Sequence, residues 1–277
     1  MLAEELRELI VQAVRRRLIA DVPLGLFLSG GIDSGAILAA AARCMPADQI
    51  RTFTIGFTEP SFDESDYAAT VAKSFGTQHA TDRLDLETAR ELLPGVLGAL
   101  DEPLGDPSIL PTYLLSRFTR REVTVALSGD GGDELFAGYD PFAALSLAQT
   151  YHRLVPSGLH RLLRGLAERL PLSDRNMSFD FKLRRALAGL SYPASMWNPA
   201  WLAPVEPEAM AVLCDRPLAP EELYSEAIQR WEASGPHGSL VDRTLEFYTT
   251  FYLTDNILTK VDRASMMSSL ESRAVFL

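Results

Sequence analysis

The sequence predicts an α/β protein that is built on a parallel β-sheet. Residues 24–28 and 123–127 are short apolar stretches without polar alternation, which is typical of strands that are covered on both faces. Helical segments separate the predicted strands, and this order favours βαβ units. Glycine-rich turns directly follow two of the strands, at residues 29–34 and 128–139. Ligands of open α/β sheets bind beyond the carboxyl ends of the strands, so this edge is the expected functional site.

The predicted elements follow in chain order. Residues 2–19 carry apolar side chains at the spacing of three and four that indicates an amphipathic helix, which ends before Pro23. Strands are then predicted at residues 24–28, 51–57, 79–84 and 123–127, and helices at residues 35–43, 64–75, 87–100 and 113–119. Gly76 is placed to end the helix over 64–75, and Pro94 is expected to interrupt the helix over 87–100.

The second half of the chain has a different character. After Tyr139 the sequence is rich in Leu, Ala and Arg with recurring Pro, which predicts short helices joined by proline turns and a stronger helix at residues 245–258. We therefore expect an α/β core over residues 1–140 and a helical extension over residues 141–277. The extension is expected to pack on the core, because no flexible linker separates the two.

Composition excludes several classes of protein. The chain has 277 residues and a net charge of −11, which argues against a nucleic-acid partner. No apolar run approaches the roughly 20 residues that span a bilayer, and the segment after Met1 is acidic and amphipathic, unlike a secretion signal, so no membrane partner is expected. Two cysteines are too few for a disulfide framework, which predicts a cytoplasmic protein. The four histidines, at positions 79, 152, 160 and 237, lack the spacing of metal ligands.

The first glycine-rich turn, Ser-Gly-Gly-Ile-Asp-Ser over residues 29–34, suits a phosphate chain. Its glycines allow close approach of the backbone, the next helix presents free N–H groups, and Ser29 and Ser34 add hydroxyls. Asp33 would repel phosphate unless it holds Mg²⁺, which bridges the two negative groups. The turn lacks the Gly-Lys pair of a Walker A loop, and a simple turn without a ligand is the alternative.

The second turn, over residues 128–139, combines glycines with acidic side chains in the order Ser-Gly-Asp-Gly-Gly-Asp-Glu-Leu-Phe-Ala-Gly-Tyr. It also follows a buried strand, so it is expected at the same edge of the sheet as the first turn. Asp33 and Asp133 would then supply two carboxylates to one Mg²⁺. The alternative is a surface turn in which Asp133 caps a helix.

These two turns resemble a known family. Residues 29–34 resemble the pyrophosphate loop of the ATP pyrophosphatase superfamily, and residues 128–139 resemble the second motif of the synthetase domain of asparagine synthetases. Three further stretches fit the same domain, at residues 52–57, 101–108 and 258–267. The similarity extends from about Val22 to Leu277 and is weakest between residues 150 and 240.

The resemblance implies a five-stranded parallel sheet flanked by helices, of the adenine nucleotide alpha hydrolase type, with a helical C-terminal part. It also implies that ATP is cleaved between its α and β phosphates. The residues that would cradle the β,γ-pyrophosphate are Ser29, Gly30, Gly31, Asp33 and Ser34, and those that would hold Mg²⁺ are Asp33 and Asp133. The further nucleotide contacts are Phe27 and Ile55 at adenine, Ser128 and Gly129. The catalytic candidates near the activated carboxylate are Asp130, which is often Glu in relatives, and Glu134.

The implied function is an ATP-dependent, amide-forming ligase of the asparagine synthetase type. A carboxylate, expected to be the β-carboxylate of aspartate, is adenylated with release of pyrophosphate, and ammonia then displaces AMP. Two alternatives remain open: a related adenylating cyclase or β-lactam synthetase-like enzyme, and a nucleotide-binding fragment without turnover. A homodimer is also left open as the oligomeric state.

Other charged residues have two interpretations. Asp101-Glu102-Pro103 and Asp106-Pro107-Ser108 could bind substrate or could form a turn and a helix cap. Lys260, Asp262 and Arg263 could form a structural ion-pair network, and Asp262 and Arg263 remain second-rank site candidates.

The sequence also departs from the family at both ends. The family's glutamine-hydrolysing half begins with a catalytic cysteine, whereas here Met1 precedes Leu2, so we expect no glutaminase domain in this chain. Ammonia would come from solution or from a separate glutaminase domain. A later lysine that assists adenylation in the family has no counterpart before Leu277, so ATP binding is a firmer expectation than turnover.

Overall fold

The computed structural model describes residues 1–173, 175–234 and 238–277. These residues form two compact units, one comprising residues 1–136 with 253–277 and the other comprising residues 137–252. His237 lies outside the described residues, so its assignment as a non-ligand stays a prediction.

The described residues form five strands and fifteen α-helices. The strands are β1 Leu24–Phe27, β2 Arg51–Phe57, β3 Gln78–Leu84, β4 Val125–Ser128 and β5 Glu271–Ala274. The helices are α1 Leu2–Arg17, α2 Ile32–Ala42, α3 Ser65–Phe75, α4 Leu86–Gly98, α5 Ile109–Thr119, α6 Gly132–Phe136, α7 Asp140–Leu154, α8 Ser157–Ala167, α9 Phe179–Gly189, α10 Trp197–Leu202, α11 Pro207–Leu213, α12 Pro220–Leu223, α13 Ser225–Ala233, α14 Leu240–Phe247 and α15 Thr259–Met266. Short 3₁₀ turns occur at Ala47–Gln49 and Ala194–Met196, and a π-helix over Tyr248–Leu258 joins α14 to α15.

The five strands form one parallel sheet in the order β3-β2-β1-β4-β5, which confirms the predicted fold class. The strand order reverses between β1 and β4, and such a switch point is where ligands of open sheets bind. Leu26 is in register with Leu127, so β1 and β4 end at the same level of the sheet. The two glycine-rich turns therefore leave the sheet side by side.

Apolar clusters cover both faces of the sheet. Leu26 of β1 belongs to a buried cluster with Val14 of α1 and Leu38 of α2. Successive side chains of a strand point to opposite faces, and Phe27 accordingly packs on the other side, against a cluster that contains Phe53. This packing on two sides explains why the strands are apolar without alternation. It also fixes the strand ends from which the turns project.

Two elements differ from the sequence-based predictions. The helix α4 continues through Pro94 to Gly98, because Val96 is buried in a cluster with Ile109 of α5 and Ala264 of α15 and this packing offsets the missing hydrogen bond. The strand β5 was not predicted, since Glu271–Ala274 contains no apolar run. It forms because its backbone pairs with β4 at an edge of the sheet.

The division of the chain also differs from the expected boundary at residue 140. Residues 253–277 were expected in the helical extension, but they belong to the unit that contains the sheet, because they supply α15 and β5. The other unit, residues 137–252, is helical and has its own buried cluster around Leu145, Trp197 and Trp201. Prolines open α11 and α12 at their first helical position, as the recurring prolines suggested.

Among the described residues, no helix combines the length and the apolar composition that crossing a bilayer requires.

Candidate functional site

A cavity of about 370 Å³ opens at the carboxyl ends of β1 and β4. This volume is in the range of small-molecule sites, which is about 300–1,000 Å³. The predicted site residues in its wall are Phe27, Ser29, Asp33, Ser34, Ile55, Ser128, Gly129 and Asp130. The predicted residues that are not in the wall are Gly30, Gly31, Asp133 and Glu134. Gly30 and Gly31 lie in the turn between wall residues, whereas Glu134 is buried in α6.

Hydroxyl groups hold the first turn closed. The Ser29 backbone N–H donates to Ser34 Oγ over 3.2 Å, the two serine hydroxyls are 3.0 Å apart, and the Gly31 N–H donates to Ser29 Oγ over 3.2 Å. The turn thus leads directly into α2, whose N-cap residue is Gly31. The first N–H groups of a helix lack intrahelical acceptors, so this end of α2 suits an anion.

Gly30 places the turn against a neighbouring helix. Its φ is +82°, a left-handed conformation that glycine adopts without strain. A Cβ atom at this position would lie 2.6 Å from the backbone nitrogen of Ala68 in α3. The turn and the first part of α3 are therefore packed more closely than any other residue at position 30 would allow.

Asp33 brings the two turns together. Its side chain lies against the backbone of Gly132, at the start of α6, and a Cβ at Gly129 would be 3.3 Å from the Asp33 Cβ. Burial raises the pKa of Asp33, and the negative charges of Asp133 and Glu134 raise it further. Burial also raises the pKa of Asp133. Acidic groups from two turns thus converge at one edge of the sheet.

These acids fit a magnesium ion bound together with a ligand. Among the described residues, no group of three or more His, Cys, Asp or Glu side chains could hold a metal ion. Mg²⁺ is usually bound through one or two carboxylates, with substrate phosphates and water completing its shell. The pair of Asp33 and Asp133 offers the oxygen ligands that this ion prefers, and a divalent cation would relieve their repulsion.

Gly132→Ala should disturb this acidic pair without unfolding the protein. The added Cβ would overlap the Asp33 carboxylate, which is the mobile end of a side chain and can turn away. We expect Mg-dependent ATP binding to weaken by about tenfold, equivalent to about 1.4 kcal/mol. Calorimetric titration with Mg-ATP measures this, and circular dichroism verifies the fold. An unchanged affinity would show that Mg-ATP binding does not depend on the position of the Asp33 carboxylate.

Asp130 lies in the cavity wall beside a lysine. Burial raises the pKa of Asp130, and the positive charge of Lys260 partly opposes that rise. Lys260 also lines the cavity, and its Nζ donates to Asp106 Oδ2 over 3.2 Å. The carboxyl of Asp106 is buried as well, but Ser108 and Lys260 bring its pKa below the usual value.

Of the charged residues Lys260, Asp262 and Arg263, one lines the cavity and two do not. Asp262 and Arg263 are exposed and do not line the cavity, and Arg263 pairs with Asp101 at 2.5 Å on the surface. Lys260, by contrast, lines the cavity, although its sequence pattern had indicated only a possible structural ion-pair network. Two features of the sequence could have indicated a role for Lys260. The chain has only three lysines, and this one lies in a stretch that fits the family.

Comparison with known proteins adds a second line of observation. Residues 5–277 match the asparagine synthase family. A Bacillus subtilis protein, described as a glutamine-hydrolysing asparagine synthetase, is 30% identical over 276 residues, which cover 100% of this chain and 42% of that protein. A Methanocaldococcus jannaschii protein, described as a putative glutamine-hydrolysing asparagine synthetase, is 33% identical over 270 residues, which cover 96% of this chain and 50% of that protein. The chain thus spans half or less of the length of these relatives.

Proposed function

Because the chain belongs to the asparagine synthase family, we propose that it is the ATP-using part of an amide-forming ligase. Its substrates would be ATP, a carboxylate such as the β-carboxylate of aspartate, and ammonia. The observation that carries the proposal is the meeting of the two glycine-rich turns at one cavity, with Asp33 of the first turn against Gly132 of the second.

The β,γ-phosphates of ATP would bind at the first turn. The Ser29 and Ser34 hydroxyls and the N-terminus of α2 supply hydrogen-bond donors there. Asp33 and Asp133 would hold Mg²⁺, which when bound neutralises phosphate charge and so favours the departure of pyrophosphate. The donors are held in place before the reaction, so they stabilise the leaving group without a large rearrangement.

The nucleoside of ATP would extend along the cavity from the first glycine-rich turn. Phe27 and Ile55 lie in the wall with other apolar side chains, which include Phe57, Phe62 and Leu115. An apolar surface of this kind suits a flat adenine ring, while the backbone groups of Phe27 and Ile55 offer polar contacts. Ser128 and Gly129, at the end of β4, would contact the nucleotide from the other side of the switch point.

The carboxylate and the amine would react near the second turn. Asp130 lies in the cavity wall, and Glu134 is buried in α6 and contributes negative charge at Asp33. A raised pKa makes an ionised carboxylate a stronger base, which can accept a proton from an attacking amine, and this is the role we assign to Asp130. Positioning of the substrate carboxylate against the α-phosphorus would supply much of the remaining rate enhancement.

Ammonia would reach the site from a second component. The relatives that cover this chain are described as glutamine-hydrolysing, and they are at least twice as long as the part that matches. We propose that a glutamine-hydrolysing domain or subunit works with this chain, and that free ammonia can replace it at high concentration.

Product analysis tests the proposal. The purified chain is incubated with ATP, Mg²⁺, aspartate and ammonium, and the nucleotides and amino acids are separated. We expect AMP, pyrophosphate and asparagine in equal amounts, and no AMP from a variant with Asp33→Asn. Formation of ADP and inorganic phosphate would contradict the proposal. ATP binding without AMP from aspartate or any other carboxylate tested would favour a nucleotide-binding module without turnover.

A further inference from the structure

Lys260 is a buried cation in the wall of the cavity. Its side chain is 11% exposed, although lysine is rarely buried without a partner. Among the described residues that line the cavity, Asp33, Glu64 and Asp130 are acidic and Lys260 is the one lysine or arginine. A cavity for ATP and a carboxylate must receive several negative charges. Among the described lining residues, Lys260 is the one lysine or arginine that could contact one of them.

A hydrogen-bond network fixes the Lys260 ammonium group. Its Nζ donates to Asp106 Oδ2 over 3.2 Å and to Ser108 Oγ over 2.9 Å. Asp106 also accepts hydrogen bonds from the Ser108 N–H over 2.9 Å, from the Ser108 hydroxyl over 2.6 Å and from Asn256 Nδ2 over 3.1 Å. Five donor contacts within one network leave the lysine little freedom to move.

The same network leaves one donor of Lys260 for a ligand. An ammonium group carries three N–H donors, and the described residues supply two acceptors, Asp106 and Ser108. The carboxylate of Asp106 already accepts four hydrogen bonds, which is about its full capacity. The third N–H of Lys260 therefore has to find its acceptor elsewhere, and the side chain lines the cavity.

We propose that Lys260 binds the carboxylate group of the substrate. This inference rests on the proposed function. The hydroxyls and helix end that suit the phosphates lie on the turn after β1, whereas Lys260 acts electrostatically on Asp130 in the turn after β4. The amine is expected to attack the carbonyl carbon of the adenylated substrate, with AMP leaving and Asp130 accepting the proton, so the substrate carboxylate must lie beside Asp130. Asp106, Ser108 and Asn256 are positioning residues, because they hold the Lys260 ammonium in place and do not line the cavity themselves.

Lys260→Met removes the cation and provides the first test. We expect the KM for aspartate in aspartate-dependent pyrophosphate release to rise at least about tenfold, the loss expected for one charge-assisted hydrogen bond. The Kd for Mg-ATP from calorimetry should stay within about twofold of the wild-type value. Lys182→Met is the matched control, because Lys182 is half-exposed and pairs with Asp140 outside the cavity.

A second variant guards against a folding defect. Lys260→Met leaves the Asp106 carboxylate buried without its cation, which is destabilising. The double variant Lys260→Met with Asp106→Asn removes both charges, and we expect it to fold while keeping the raised KM for aspartate. Asp106→Asn alone should raise the KM for aspartate without changing the Kd for Mg-ATP, whereas Asp101→Asn at the exposed pair should change neither.

The outcomes separate this inference from the function on which it rests. A normal KM for aspartate in the double variant would overturn the role of Lys260 alone. A loss of Mg-ATP affinity equal to the loss of aspartate affinity would also overturn it, because the cation would then serve the phosphates. Absence of aspartate-dependent pyrophosphate release by the wild-type protein would overturn the proposed function and this inference with it.

Discussion

Asp33→Asn and Asp133→Asn should each weaken Mg-dependent ATP binding by at least about 100-fold, which corresponds to about 2.7 kcal/mol. Asparagine keeps the shape of the side chain but removes the negative charge, and Mg²⁺ binds carboxylate oxygens far better than a single amide oxygen. The acids come from separate turns that meet at Gly132 and Gly129. Loss of either acid would therefore leave the proposed ion with one of its two expected carboxylate ligands.

The same variants should not destabilise the protein without ligand. Burial and the charges of Asp133 and Glu134 raise the pKa of Asp33 in the folded state, so its ionised form opposes folding. That cost is absent below the ordinary pKa of aspartate and is complete above the raised folded pKa. At neutral pH, Asp33→Asn should therefore raise the free energy of unfolding, and the gain should vanish as the pH falls through the acidic range.

Calorimetric titration with Mg-ATP measures the expected loss of affinity. Urea unfolding of the same variants without ligand, at several pH values, measures the expected gain in stability. Asp101→Asn is the control, since Asp101 is an exposed acid that pairs with Arg263. The assignment of the metal ligands is wrong if both variants bind Mg-ATP as the wild type does. A fall in stability at neutral pH would instead show that the two carboxylates serve the fold.

Gly30→Ala is the substitution for which we expect the largest loss of stability. The backbone at Gly30 has φ +82°, and the new Cβ would lie 2.6 Å from the Ala68 nitrogen and 2.7 Å from the Tyr67 carbonyl carbon. The obstacle is backbone, so no side chain can turn away to make room. We expect a loss of about 3 kcal/mol in the free energy of unfolding, from left-handed strain together with overpacking.

The effect on ligand binding should follow from the same contact. If the first turn moves away from α3, the hydroxyls of Ser29 and Ser34 no longer converge, and Mg-ATP binding should be lost in the fraction that remains folded. Gly95→Ala, at a helical position where a Cβ would meet nothing within 4 Å, should be neutral or slightly stabilising. Wild-type stability of Gly30→Ala would mean that the close packing of the turn on α3 is incorrect.

The features that sequence predicted best are those whose cause is local. Apolar strands followed by glycine-rich turns identify both the sheet and its functional edge, because the carboxyl ends of parallel strands lie at one edge of the sheet. The register of Leu26 with Leu127 then brings the turns to one level, and the strand order confirms the fold class. The roles of Asp33, Asp130 and Asp133 in the chemistry stay predictions.

The features that sequence missed depend on partners far along the chain. Lys260 acquires its position from Asp106, which is separated from it by 154 residues, and a lone lysine in a helix gives no local indication of that partner. The strand β5 has no apolar pattern of its own and exists through pairing with β4. The helix α4 passes through Pro94 because the packing of Val96 outweighs a local preference.

In the proposed site, one divalent ion joins the two turns through Asp33 and Asp133. A double-mutant cycle on Mg-ATP binding tests whether the two carboxylates share this ion, with Asp33→Asn, Asp133→Asn and the double variant compared with the wild-type protein by calorimetry. If both carboxylates hold one ion, the double variant should bind little worse than either single variant, because the first substitution already removes the shared site. Losses that add in full would mean that the two carboxylates act independently, which contradicts a shared ion.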